Sequence, residues 1–196
     1  MSVAVLRVCW GLGLLFVCGV AVSVPAQDAA PAENVTGSGG HLLRYSSKQV
    51  EVALTAAQQA AFQQSRDRSY AAATPDVVLD AVAATLTQQG YVSSSIDRQF
   101  HALEARHDEV LVSKGREVLR GVLKSRIGML PGRPDHASTE ALVLLVSAAD
   151  GHGVSLRTRF RTTVWDSNGD SRTTVVSDPA IYRAFYAGVA AQLGHA

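Results

Sequence analysis

Residues 156–165 read Leu-Arg-Thr-Arg-Phe-Arg-Thr-Thr-Val-Trp. Leu156, Thr158, Phe160, Thr162 and Val164 alternate with Arg157, Arg159, Arg161, Thr163 and Trp165. Neighbouring side chains of a strand point to opposite sides, so this period of two predicts a half-buried β-strand with one dry side and one wet side. Asn168-Gly169 is suited to a tight hairpin turn, and Arg172 to Val176 returns as the partner strand. Upstream, Ala141 to Ala148 (ALVLLVSA) is continuously apolar, the pattern of a central strand. Asp150-Gly151-His152-Gly153 turns the chain between the two.

Helical signals surround this ribbon. Thr74-Pro75-Asp76 offers an N-cap, a proline at the first helical position and an early acid. Val78, Val82 and Leu86 recur every four residues and Gly90 sits where a left-handed C-cap is wanted, which predicts a helix over about 75–89. Asp178-Pro179 opens a similar helix to residue 193, with Ile181, Phe185 and Val189 on one face and Tyr182, Tyr186 and Leu193 beside them. The aromatic run of that helix reads as core packing. Thr55 to Ser65 suggests a modest helix anchored by Phe62, and Val110 to Met129 an inserted helix ended by Pro131, Gly132 and Pro134. Tyr91 to Ile96 and Gln99 to His107 read as short strands turning at Asp97-Arg98.

The expected architecture is α+β: a two-layer sandwich with an antiparallel or mixed sheet of about five strands. Helices 75–89 and 179–193 would cover one face, with the basic helix inserted. No internal repeat is visible.

The N-terminal 26 residues carry one charge, Arg7, then the apolar run Val8 to Val22, then Val24-Pro25-Ala26. That order is the signature of a secretory signal, and the run is short of the roughly 20 residues a membrane span needs. The domain plan is therefore 1–26 signal peptide, 27–53 flexible tether or extended segment, and 54–196 a single α+β domain. Cleavage after Ala26 removes both cysteines, Cys9 and Cys18, and leaves the domain to be stabilised by core burial. Leu15-Phe16-Val17-Cys18-Gly19 is also a loose lipoprotein box, in which Cys18 would be acylated and the protein anchored to a membrane. Removing Arg7 leaves 17 basic against 17 acidic residues, a balance that argues against nucleic acid as a partner.

Several stretches together resemble a family of bacterial envelope (outer-membrane) lipoproteins. They are Pro75 to Tyr91, the hairpin ending in Ala102 to His107, the Arg159-Phe160 strand, Val164-Trp165-Asp166-Ser167-Asn168-Gly169, and Asp178-Pro179 with Tyr182 and Phe185. The resemblance spans about Arg68 to Leu193, and the layout is similar to domains of accessory lipoproteins of outer-membrane assembly. It implies a fold and an envelope location, periplasmic or anchored at the outer membrane. It assigns no reaction. Tyr186 departs from the second phenylalanine of the family's closing motif.

Motif chemistry gives little. His101-x-x-Glu104-x-x-His107 does not converge: on a strand the histidines lie about 20 Å apart and Glu104 points the other way. Asp166-x-Asn168-x-Asp170 starts like a calcium loop, but Ser171 and Ser177 stand where glycine and glutamate belong. No nucleophile elbow or phosphate loop is present. The reading implies no cofactor and no metal.

Two surfaces stand out. Arg157, Arg159 and Arg161 form a ladder with a spacing of about 7 Å along one strand face, which Arg172 could extend. Guanidinium forks suit carboxylates or phosphates; the same ladder also fits a plain solvent face. On the inserted helix, Lys114, Arg116, Arg120, Lys124 and Arg126 against Glu117 oppose an apolar stripe, fit for an anionic membrane or a partner, or simply for solvent. The expected function is a non-enzymatic exported envelope protein that binds a protein partner or an anionic lipid or glycan surface through the ladder or the basic helix. The alternative is a small periplasmic hydrolase or hydrolase inhibitor whose site is assembled from dispersed residues.

Overall fold

The computed structural model describes residues 31–39, 47–71, 73–111, 133–147 and 153–194. The signal with Cys18, and the basic helix with Arg116, Arg120 and Lys124, lie outside the described residues. The elements in order are β1 (Glu33–Gly39), β2 (Ser47–Val52), α1 (Ala56–Ser65), β3 (Asp67–Tyr70), α2 (Pro75–Gln88), β4 (Val92–Asp97), β5 (Ala102–Val110), β6 (Pro134–Ser147), β7 (Val154–Asp166), β8 (Ser171–Val175) and α3 (Pro179–Gly194).

The β6–β7 hairpin is the axis of one large mixed sheet. Its register runs from Pro134 opposite Asp166 to Ser147 opposite Val154. β5 and then β4 continue antiparallel from the far side of β6. The other edge of β7 is shared. β3 takes residues 154–157 and β8 takes 161–165. β2 runs parallel to β8 and β1 closes the path, giving the order β1-β2-β8-β7-β6-β5-β4 with β3 off it.

The sheet thus has eight strands, not about five. β1 and β2 fall in the stretch read as tether and extended segment. β1 is Glu-Asn-Val-Thr-Gly-Ser-Gly, a composition that signals a linker and becomes a strand only because β2 offers an edge to pair with. β3 is four residues long, too short to show a period. β6 also begins earlier than its apolar run. Along that run Ala141, Val143 and Leu145 are buried while Leu142, Leu144 and Val146 are exposed, so the strand is central in order but covered on one side only among the described residues.

The helices form for local reasons. Thr55 and Gln58 make a reciprocal capping box on α1. Pro75 stands in the first turn of α2, whose N-cap Thr74 makes no side-chain cap bond. After α2 the chain reverses through Gly90 at φ +83°, a left-handed conformation glycine adopts without strain. The Gly90 carbonyl accepts a hydrogen bond from Nδ1 of His107 at 2.9 Å.

One apolar cluster joins these elements. Val78, Leu79, Val82 and Leu86 of α2 and Tyr182, Phe185 and Val189 of α3 meet Leu103, Val143, Leu156 and Phe160 of the sheet. Each such side chain contributes roughly 1.5–3 kcal/mol on burial. Phe160 is the hub, its ring centroid 5.4 Å from Tyr182, 5.4 Å from Phe185 (edge-on, 84°) and 6.2 Å from Tyr91. The aromatic run of the last helix is core, as its spacing predicts. Gly188 lets α3 close on α2, because a Cβ there would lie 2.7 Å from Cγ2 of buried Thr85.

Candidate functional site

Alternation along β7 separates two chemistries. Leu156, Thr158 and Phe160 are buried; Arg157, Arg159 and Arg161 are exposed on the other side. Register then builds a grid. Arg157 stands opposite Leu144, Arg159 opposite Leu142 and Arg161 opposite Glu140. One strand further, β5 sets Ala102 beside Leu144, Glu104 beside Leu142 and Arg106 beside Glu140.

The three ladder arginines are not equivalent. Arg157 grips Asp67 on β3 with two bonds, Nε to Oδ1 at 2.7 Å and Nη2 to Oδ2 at 3.0 Å. That guanidinium holds the Asp67 carboxyl below its ordinary range, chiefly through the hydrogen bond and against a smaller cost of burial. Arg161 donates to Oε2 of Glu140 at 2.7 and 3.2 Å. Arg106 is likewise taken by Asp108 at 2.7 Å. All of these groups stay exposed, so the pairs quench charge without being buried. Arg159 differs: among the described residues no carboxylate lies within ion-pair distance of it.

Arg172 does not extend the ladder. It registers with Val164, whose parity is that of Phe160, so it lies on the other side of the pleat, and its guanidinium pairs with Glu33 of β1. The sequence pattern could not show this, because the side on which a returning strand places each residue depends on the turn.

Arg159 and Leu142 border two adjoining depressions. The first, of about 410 Å³, is also edged by Glu104, Arg106, Glu140 and Arg161. The second, of about 500 Å³, lies toward β2 and α1 and is edged by Glu51, Gln59, Gln63 and Leu144. Leu142, Leu144 and Val146 keep 46, 42 and 55 % of their surface in contact with solvent, an apolar stripe beside the one unpaired ladder cation. Asp67 escaped the sequence reading, Glu104 entered it only through the His-Glu-His motif, and the stripe only as a buried central strand. Each acquires its meaning from cross-strand register, which no local pattern encodes.

The remaining motifs resolve locally. His107 shares the parity of buried Leu103 and Ala105, while Glu104 lies on the other side, so the His-Glu-His set is divided by the sheet. Oδ1 of Asp166 accepts from the amides of Asn168 (2.8 Å) and Asp170 (3.0 Å), and Gly169 turns at φ +86°. That carboxylate serves the hairpin turn. No group of three or more metal-ligating side chains occurs among the described residues. A comparison with protein-family models found none that matches the chain, and a comparison with curated proteins found no match.

Proposed function

We propose that the chain is an exported, non-enzymatic binding domain of a bacterial envelope that holds a protein partner on the side of the sheet carrying Leu142 and Arg159. The observation that carries this reading is the pairing of an exposed apolar stripe with one cation that is unpaired among the described residues, while every other arginine of the grid already has a carboxylate. A polyanionic lipid or glycan surface would be served by several free cations; a protein partner with apolar side chains and an opposing carboxylate suits this side better. We read the architecture as a two-layer sandwich in which α2 and α3 lie together on the opposite side, supported by their packing on each other and by α2 meeting β4, β5 and β6. The envelope location rests on the secretory signature of residues 1–26 and on the family resemblance.

The test is a photo-crosslinking residue placed at Leu142 in producing cells, with Val77 on α2 as the control position. Protein adducts at 142 and none at 77 are expected. Absence of adducts at 142, or equal adducts at both, removes the proposal.

A further inference from the structure

We infer that the occupant of this side is a second copy of the chain, docked about a two-fold axis that runs along the strands over Leu142. The inference rests on the reading above and names its partner. It starts from one rung of the grid, Glu104–Leu142–Arg159. The middle residue is an exposed leucine and the outer two carry opposite charges, two strand spacings or about 10 Å apart. Too far apart to pair with each other, neither Glu104 nor Arg159 has an opposite charge within ion-pair distance among the described residues, although Arg106, Arg157 and Arg161 all do.

Such a rung is complementary to itself. Rotation by 180° about an axis in the interface, parallel to the strands and above Leu142, sets each Glu104 over the other copy's Arg159. It also sets Leu142 on Leu142 and Leu144 on Leu144. This is the isologous arrangement expected of a symmetric dimer. The strands of the two sheets remain nearly aligned, the usual geometry when sheets pack face to face about 10 Å apart. At that spacing a glutamate and an arginine reach each other. The neighbouring rung brings Arg106 toward the other copy's Arg161 and Glu140 toward the other copy's Glu140, but these groups are already paired within each copy, Arg106 with Asp108 and Arg161 with Glu140.

There is room for a specific contact. At about 3.4 Å per residue and about 4.8 Å per strand, the five strands from β2 to β5 present a face of roughly 770 Å², close to the roughly 800 Å² per partner that a standard interface buries.

The test uses the full exported chain in sedimentation velocity, as wild type, Arg159→Glu, Glu104→Arg, and the two variants mixed. The wild type should dimerise with concentration. Each single reversal sets like charges together twice per dimer and should raise the dissociation constant at least about tenfold. The mixture should recover a heterodimer, because positions 104 and 159 are then both acidic in one variant and both basic in the other. Recovery on mixing also proves that both variants are folded, and Leu142→Asp should abolish the dimer independently. A wild type that stays monomeric, reversals without effect, a mixture that fails to pair, or an adduct at 142 that stays within one chain each overturns the inference. Adducts at 142 to a different protein, with a monomeric wild type, overturn it while leaving the broader binding proposal standing. Loss of all adducts removes both.

Discussion

The Tyr182 hydroxyl lies 3.4 Å from the Phe160 amide nitrogen, and the two rings are 5.4 Å apart. One side chain of α3 therefore packs on the hub of β7 and takes up its backbone donor, while donating to the Val176 carbonyl at 2.9 Å. Tyr182→Phe keeps the ring and strands the Phe160 amide. It should cost about 1–3 kcal/mol in chemical denaturation. Tyr182→Ala, which also opens a cavity, should cost about 3–5 kcal/mol.

Tyr186 gives the fold an alkaline limit. Its hydroxyl donates to the Arg66 carbonyl, and burial pushes its pKa from 10 up to about 12. The folded state thus keeps a proton that the unfolded chain releases above pH 10. Stability from this group is complete below pH 10 and is lost as pH rises through about 12, by roughly 2–3 kcal/mol at 1.36 kcal/mol per unit. Denaturation curves from pH 9 to pH 12 should slope downward, and Tyr186→Phe should flatten that slope. An unchanged slope would assign the loss to other groups.

The approach of α3 to α2 can be tested by crowding. Gly188→Ala places a methyl 2.7 Å from Cγ2 of Thr85 and should lower stability by about 1–3 kcal/mol. Thr85→Ser removes the opposing methyl and keeps a hydroxyl for the Ala81 carbonyl, which Thr85 bonds at 2.8 Å. The double variant should melt above Gly188→Ala alone. Simple additivity of the two losses would mean the helices separate instead.

The ladder arginines should separate in binding. Arg159→Gln alone should weaken adduct formation at 142 nearly as much as replacing Arg157, Arg159 and Arg161 together. Arg157→Gln and Arg161→Gln should each do little, since those guanidiniums are occupied by Asp67 and Glu140. Thermal midpoints of all four should stay close to wild type. Equal effects from the three single variants would restore the ladder as a unit.

Much of the fold is legible in the chain. Phe160 and Arg159 announce their sides by alternation, and α2 and α3 announce themselves by an opening proline and four-residue recurrence. What failed to show is what depends on partners distant in sequence. Val35 and Gly37 look like linker until Gln49 and Val50 pair beside them. Leu142 looks like interior until Arg159 and Glu104 flank it. The apparent run Arg157, Arg159, Arg161 overstated the free charge because Asp67 stands 90 residues and Glu140 21 residues away.

The parallel contact of β2 with β8 has a consequence for the order of events. The Lys48 amide donates to Oδ1 of Asp170 at 2.7 Å across 122 residues. The β1–β2 pair keeps one flank bare until the last strand, β8, is in place. Closing so large a loop is slow, and a bare flank invites adhesion to other unfinished chains. Maturation is thereby timed by the C-terminal end, and a chain interrupted before residue 171 leaves that pair with nothing to join.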